Sequence, residues 1–217
     1  MPSATVKAEL ACEHLRGRDA VMRDIIDEVG PCTLRPERDR FWMLVRSIIS
    51  QQISVGAARS IRRRLEELVA PAKVTPQALL RFEIDQLRAV GLSPQKAAYV
   101  RDLASKANSG AIELRTIGRF SDDAVIDQLI QVKGIGRWTA QMFLIFALGR
   151  PDVFPEDDLG IRGAIRDRYG LEDLPDKATS REIARPWRPF ASVASWYCWR
   201  SLDLSRNGDS FAKGYPT

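Results

Sequence analysis

The sequence predicts an all-α protein. Apolar side chains recur with a period of about 3.6 residues in every long segment, and we find no convincing stretch that alternates polar and apolar residues as a strand does. Glycine and proline separate these segments, as Gly30-Pro31 does after the second of them. These three observations favour a chain of helices joined by short turns.

In the first half of the chain, each predicted helix combines helical apolar spacing with a recognisable start or stop. Pro76 suits the first position of a helix that begins at Thr75, and Ser93-Pro94 opens another in the same way. The predicted helices of this half are 6–15, 19–29, 39–50, 55–69, one from 75, 84–90 and 95–107. The last of these is predicted to present Ala98, Val100, Leu103 and Ala107 on one apolar face.

In the second half, Ser121 is the predicted N-cap of a helix whose first turn carries Asp122 and Asp123, at the positive end of the helix dipole. The predicted helices are 122–130, 137–148, 158–169, 179–187 and 190–204. The first should line one face with Val125, Ile126, Leu129 and Ile130. Segment 137–148 is apolar nearly all round, which predicts a central, buried helix.

The composition excludes several kinds of site and only weakly indicates a partner. The 217 residues carry a net charge of +5, a weak indication of a polyanionic partner. The three cysteines form no CxxC motif, which argues against a disulfide framework, a zinc finger or an iron–sulfur site. The single histidine, His14, excludes His-cluster metal sites. Without a signal-peptide core or a membrane-spanning apolar run, the expected location is the cytoplasm.

The segment Val132–Gly136 predicts a tight hairpin between two helices. Its two glycines permit positive φ, and successive N–H groups there could converge on one phosphate oxygen. Lys133 and Arg137 would add charge without base specificity. The alternative is a packing turn, but the flanking pattern LxxVKGIGxxTA favours an anion site.

Two further polar features interrupt the apolar pattern. Gln51 and Gln52 stand between two apolar helices, either as a polar turn or as a finger whose amides could contact base edges. Asp157 and Asp158 stand where a helix begins, so at least one of them should be an N-cap. A carboxylate near a phosphate-binding hairpin could also serve hydrolytic chemistry.

Together these motifs resemble a known family. LIQVKGIGRWTA followed by DVFPEDDLGIR is similar to the helix-hairpin-helix motif and acidic loop of the DNA glycosylase superfamily, and IISQQIS and GLSPQKAAYVRDLA resemble its other segments. The match is strongest to the 3-methyladenine DNA glycosylase II (alkylpurine) branch and extends from about Arg38 to Leu202. It implies one domain over 1–217 with two helical lobes, about 38–150 and about 1–37 with 151–217, and a cleft between them.

The resemblance also implies a reaction. Asp158 would be the catalytic carboxylate and Asp157 a cap or support. It would stabilise positive charge on the sugar while water cleaves the N-glycosidic bond of an alkylated base. Trp138 stands where bifunctional members carry a lysine, which implies a monofunctional hydrolase in base excision repair.

The resemblance further assigns binding roles. The flipped base would lie against Trp138, Met142 and Trp199, with Met142 departing from the aromatic residue of bacterial relatives. Gln52 would be the intercalating wedge, with Gln51 beside it. The remaining expected DNA contacts are Lys133, Gly134, Ile135, Gly136, Arg137 and Thr139.

No cofactor is expected to be required, although main-chain carbonyls of Ile130, Val132 and Ile135 could hold a Na⁺ or K⁺ ion. The expected partner is damaged double-stranded DNA, bound by a monomer without membrane contact. Three alternatives stay open: a glycosylase for deaminated or oxidised bases, a non-enzymatic hairpin module that binds DNA, and a helical scaffold that does not.

Overall fold

α-Helices provide nearly all the regular structure in the computed structural model, which describes residues 4–205. Within those residues the helices are α1 (Ala4–Arg18), α2 (Ala20–Val29), α3 (Arg40–Ser50), α4 (Val55–Val69), α5 (Pro76–Leu79), α6 (Ile84–Ala89), α7 (Pro94–Asn108), α8 (Asp122–Leu129), α9 (Arg137–Phe146), α10 (Leu159–Tyr169), α11 (Lys177–Ala184) and α12 (Ala191–Ser205). Short 3₁₀ helices span Ile117–Arg119 and Arg185–Trp187. No strand occurs in the described part, and the predicted all-α class is confirmed.

Side-chain caps explain why many helices begin where the sequence predicts. In each case a Ser, Thr or Asp oxygen accepts a hydrogen bond from the N–H three residues later, which satisfies one orphan donor of the first turn. The capping residues are Asp19, Asp39, Ser54, Thr75, Ser93, Ser121, Asp158 and Asp176. Because such a cap is worth about 1 kcal/mol, these short polar residues set the helix starts.

The described chain divides into two compact units. Glu37–Phe143 forms one, called here the central unit; the residues up to Pro36 and from Leu144 onward form the other, the terminal unit. The second boundary lies inside α9, a few residues before the position of about 150 that the resemblance implied.

Each unit has one helix that contacts most of the others. In the central unit α7 packs against α3, α5 and α6, with Ala97, Val100, Leu103 and Ala104 buried. In the terminal unit α12 packs against α1, α2 and α10, and nearly all of its side chains from Ala191 to Trp199 are buried. The cores of the two units are therefore built around α7 and α12.

Two predicted apolar faces are shifted in the structure. Ile130 is exposed because α8 ends at Leu129, so that Ile130 lies beyond the last turn of the amphipathic face. On α7, Ala98 and Ala107 are only half-buried, because the core stripe runs on the adjacent side of the helix. None of the helices described has the length and apolar character that a membrane span requires.

Candidate active site

The hairpin between α8 and α9 depends on one glycine more than on the other. Gly134 has φ +81°, and a Cβ built on it would lie 2.0 Å from Cδ2 of Tyr99, whose ring packs against the turn. Gly136 has no positive φ, and a Cβ there would meet nothing within 4 Å. The prediction that both glycines serve the turn conformation is therefore corrected: Gly134 shapes the turn, and Gly136 leaves its outer surface open.

The N–H groups of the hairpin are not all directed outward. The Lys133 N–H donates to Oδ2 of Asp102 (2.9 Å), and the Ile135 N–H donates to the Val132 carbonyl (3.1 Å). An anion is therefore better served by the start of α9, where helix geometry leaves N–H groups without an acceptor four residues earlier. The interpretation of the hairpin as an anion site is shifted toward Gly136 and Arg137, both exposed.

Asp102 places a negative charge beside this positive segment. Burial opposes its ionisation, but hydrogen bonds from Lys106 and from the Lys133 N–H, with the charges of both lysines, lower the pKa of the carboxyl group. Lys106 Nζ lies 2.6 Å from each carboxylate oxygen. The charge of Asp102 is thus offset locally, and the carboxylate acts as an acceptor for the turn.

The two glutamines have different surroundings. Gln51 Nε2 donates to the Gly134 carbonyl (2.8 Å), so this amide ties the glutamine turn to the hairpin. Gln52 is exposed and has φ +55°, an uncommon conformation for a residue with a Cβ. Ile53, which the sequence reasoning did not select, is 37% exposed in the same turn. The sequence signal that could have pointed to Ile53 was a large apolar residue directly after two glutamines, between two helices.

Asp158 begins α10 and is 3% exposed. Its Oδ1 accepts hydrogen bonds from the Ile161 N–H (2.8 Å) and from Nε1 of Trp199 (3.1 Å). The expected N-cap is therefore Asp158 itself. Because a carboxylate has several lone pairs, a capping bond and an indole bond are compatible with a further contact. Burial, followed by the charges of Asp19 and Asp158, raises the pKa of the Cys198 thiol.

Asp157 is not a cap. It is exposed and forms an ion pair with Lys177 of α11. Two more acids of the same loop pair with cations on or just after α11: Glu156 with Arg181 (2.9 Å) and Asp152 with Arg188 (2.8 Å). Three ion pairs at the surface therefore contribute to holding the loop that delivers Asp158, beside the main-chain hydrogen bonds of Pro151 and Val153 with Ser192. The sequence alone did not reveal these partners.

The predicted pocket residues differ in exposure. Trp138 is 37% exposed, whereas Met142, one turn further on α9, is buried. Trp199 is 1% exposed and lies 5.6 Å, ring centre to ring centre, from Phe146 at 30° between planes. Thr139 is buried and offers little side-chain surface to DNA.

The candidate residues thus form two groups. The central unit holds the glutamine turn, the hairpin and the first two turns of α9, with Gln51, Gln52, Lys133, Gly134, Ile135, Gly136, Arg137, Trp138, Thr139 and Met142. The terminal unit holds Asp158 and Trp199, which share a hydrogen bond. Side chains do not gather into a group of three or more His, Cys, Asp or Glu that could hold a metal ion anywhere in residues 4–205.

The all-α fold, the hairpin and the buried carboxylate at a helix start are the features that the sequence resemblance led us to expect. Residues 45–189 match the family described as the HhH-GPD superfamily base excision DNA repair protein. The match covers more than half of the chain, which therefore belongs to the HhH-GPD superfamily.

Similar proteins cover most of the chain. DNA-3-methyladenine glycosylase 1 of Schizosaccharomyces pombe is 32% identical over 208 residues, which is 94% of this chain and 90% of the relative. The solved structure of the S. pombe 3-methyladenine DNA glycosylase Mag1 in complex with abasic DNA matches with a TM-score of 0.80 at 33% identity, over 90% of this chain and 97% of that one. A Bacillus halodurans DNA-3-methyladenine glycosidase also has a TM-score of 0.80 at 31% identity, with 94% and 92% covered.

Proposed function

We propose that this protein is a monofunctional DNA glycosylase that hydrolyses the N-glycosidic bond of alkylated bases, of the 3-methyladenine and 7-methylguanine type, in duplex DNA. The observation that carries the proposal is the buried carboxylate of Asp158, held by two donors at the start of α10. Membership of the base excision repair superfamily and the similarity to 3-methyladenine glycosylases support it.

Asp158 would act on the sugar. As the bond from C1′ to the base nitrogen breaks, the base leaves with the electron pair and positive charge develops on the sugar. A carboxylate nearby stabilises that charge, orients the water that attacks C1′ and accepts the proton that this water loses. A base already made cationic by alkylation is a good leaving group, so the reaction needs little help from a general acid. The bond from Trp199 to Asp158 would fix the direction of the carboxyl group.

The position of Trp138 supports hydrolysis without strand cleavage. An indole cannot form the Schiff base through which a lysine amine would open the sugar. Its exposed ring can instead stack on a flipped cationic base, a contact worth about 0.5–2 kcal/mol. Met142 would line the same face of α9 one turn later, with a flexible thioether. We assign Trp199 to the carboxylate rather than to stacking, because its ring has almost no exposed surface.

DNA would be gripped through the central unit. Arg137 and the N–H groups at the start of α9 suit a backbone phosphate, with Lys133 adding charge. Gln52 would enter the gap that the flipped base leaves, and the neighbouring Ile53 would supply apolar surface to the same gap. Gln51 would hold the turn rather than contact DNA, because its amide is bound to the Gly134 carbonyl. We propose that the protein acts as a monomer.

A monovalent cation at the hairpin is a further part of the proposal. The carbonyl of Val132 already accepts from Ile135 within the turn, but a carbonyl oxygen has a second lone pair. The carbonyls of Ile130, Val132 and Ile135 would therefore be compatible oxygen ligands, and the ion would add positive charge near a bound phosphate. The proposed hydrolysis of the N-glycosidic bond uses no cofactor.

A base-release panel tests the function. Duplexes with methylated, deaminated and oxidised bases are incubated with wild-type protein and with Asp158→Asn. Asparagine is an equally good N-cap, so this variant removes the charge while keeping the cap. We expect release of methylated bases by wild type, loss of at least about a hundredfold in the variant, and retained DNA binding. Full activity of Asp158→Asn, or release confined to deaminated or oxidised bases, would contradict the proposal.

A further inference from the structure

One side of α7 carries polar residues that all reach toward the glutamine turn or the hairpin. Lys96, Tyr99 and Asp102 follow each other at intervals of three residues, which places them along one side of a helix. The adjacent side, with Ala97, Val100, Leu103 and Ala104, is buried in the core of the central unit. The polar side of α7 is therefore fixed in place by the packing of its apolar side.

Lys96 closes the end of α3. Its Nζ donates to the carbonyls of Ile49 (2.7 Å) and Gln51 (2.5 Å). An ammonium at a helix C-terminus satisfies orphan carbonyls and meets the negative end of the dipole. Lys96 is half-buried, and this burial lowers the pKa of its ammonium group. The lysine thus holds the residues immediately before Gln52, the residue with positive φ.

Tyr99 and Asp102 hold the hairpin from the same side. The ring of Tyr99 lies against Gly134 so closely that no side chain fits between them. Asp102 accepts the N–H of Lys133, the residue before that glycine. The Gln51 amide then joins the two loops directly through the Gly134 carbonyl. Four contacts from α7 and one from Gln51 therefore connect the glutamine turn with the hairpin, and Gln51 and Gly134 are 83 residues apart in sequence.

We propose that Lys96, Tyr99 and Asp102 are positioning residues that hold the glutamine turn and the hairpin as one rigid element. Gln52 would then enter the duplex at a fixed position relative to the phosphate bound at the start of α9. The proposal rests on the proposed function, because this relative position matters only if a base is flipped. It differs from ordinary core packing in that Lys96 and Asp102 hydrogen-bond to main-chain groups of the two loops, while the Tyr99 ring packs on the main chain of Gly134.

The first measurement compares two substrates. Single-turnover base release is followed for one methylated base in a fully paired duplex and for the same base placed opposite an abasic position, where flipping costs little. Lys96→Met keeps the length of the side chain and removes the donor. We expect the paired rate to fall by about tenfold and the unpaired rate by less than about threefold.

Arg101→Met is the matched control. Arg101 lies on the same helix and also donates to a main-chain carbonyl, that of Phe82 (2.8 Å), besides pairing with Glu83. Its contacts are with the α5–α6 connection and not with the glutamine turn or hairpin. If loss of stability were the whole effect, both variants would lower the paired and unpaired rates alike. We expect Arg101→Met to leave the ratio of the two rates unchanged.

A second measurement needs no activity. Amide hydrogen exchange in DNA-free protein should rise by at least about threefold within residues 49–56 in Lys96→Met, and not in Arg101→Met. If Lys96→Met does not fold, Gln51→Leu replaces it, with faster exchange expected in residues 131–137. Unchanged exchange in a folded variant, or an unchanged paired-to-unpaired ratio, overturns the proposal. If wild type releases no base from either substrate, the proposed function fails while exchange still decides whether Lys96 holds the turn.

Discussion

The hairpin region of the central unit and the acidic loop of the terminal unit are held by different kinds of interaction. Around the hairpin, charged and amide side chains bind main-chain groups: Lys96 the end of α3, Asp102 the Lys133 N–H, and Gln51 the Gly134 carbonyl. The acidic loop also has main-chain hydrogen bonds, in which the Val153 N–H donates to Ser192 Oγ (2.9 Å) and the Ser192 N–H donates to the Pro151 carbonyl (3.0 Å). Its acidic side chains, in contrast to those around the hairpin, pair mostly with other side chains at the surface, as Glu156 does with Arg181. Main-chain contacts fix backbone geometry directly, whereas exposed ion pairs are weak and are screened by salt.

This difference matches what each region would have to do. Insertion of Gln52 into the duplex and binding of a phosphate at the start of α9 would both need a fixed backbone, because both depend on where main-chain atoms and short side chains lie. The acidic loop needs accuracy at one residue, Asp158, and that residue has its own buried contacts with Ile161 and Trp199. The surrounding ion pairs can then adjust the loop without carrying the site.

The largest effect in the hairpin region is expected from Gly134→Ala. Its Cβ would overlap the Tyr99 ring at a positive φ, so the turn must change or the ring must move. We expect a loss of about 2–4 kcal/mol in the free energy of unfolding, measured by urea denaturation, together with loss of DNA binding. A stability equal to wild type would show that Tyr99 is mobile and that the region is less rigid than described.

Gly136→Ala is the matched control for that variant. Its Cβ meets nothing, so stability should change by no more than about 0.5 kcal/mol. If DNA approaches the backbone closely at Gly136, affinity for duplex DNA in a fluorescence anisotropy titration should still fall. Unchanged affinity would place the phosphate elsewhere on the hairpin.

In the acidic-loop region the largest effect is expected from Trp199→Phe, which removes the indole donor to Asp158 and keeps an aromatic ring. We expect the single-turnover rate of base release to fall by about tenfold, with the Kd for DNA changed by less than about twofold. Trp196→Phe, another buried tryptophan of α12, is the control for loss of packing. Equal rates for the two variants would argue against a positioning role for Trp199.

The lowered pKa of Asp102 predicts that the hairpin loses protection from hydrogen exchange in acid. Burial opposes ionisation, but hydrogen bonds from Lys106 and the Lys133 N–H lower the pKa below its ordinary value of about 3.9. The carboxylate therefore contributes stability above that value and loses it as pH falls through the lowered pKa. In wild type the protection factors of residues 131–137, which are corrected for the intrinsic slowing of amide exchange in acid, should fall as pH falls through the lowered pKa. Asp102→Asn should show lower protection factors already at neutral pH and less further change in acid. Identical pH profiles for the two proteins would contradict this role of Asp102.

The smallest effect is expected from breaking the surface ion pairs of the acidic loop. Lys177→Ala with Arg181→Ala should lower stability by less than about 1 kcal/mol per pair at low salt, and the difference should vanish near about 1 M salt. Arg185→Ala is the control, because Arg185 pairs with Glu182 of α11 rather than with the loop. A large loss that persists at high salt would mean that these pairs, and not the contacts of Asp158, hold the loop.

Local patterns in the sequence predict the helices and the candidate residues. Apolar period and short polar caps located the starts of α2, α3, α4 and α8 to within one residue. The glycines of the hairpin and the two aspartates of the acidic loop were visible for the same reason. The expectation that at least one of the two aspartates is an N-cap is confirmed by Asp158, which accepts the Ile161 N–H. Asp157, for which the resemblance implied a cap or support, is not a cap.

The amino-acid sequence by itself determined the all-α class, the hairpin between α8 and α9, and a carboxylate at the start of α10, because each depends on residues within a few positions of one another. Only the tertiary structure decided that Gly134 needs to be glycine on account of Tyr99, that Gln51 serves the hairpin, and that Trp199 donates to Asp158. These partners are 35 to 83 positions apart. No period or cap relates residues so distant, since their contact follows from how whole helices pack.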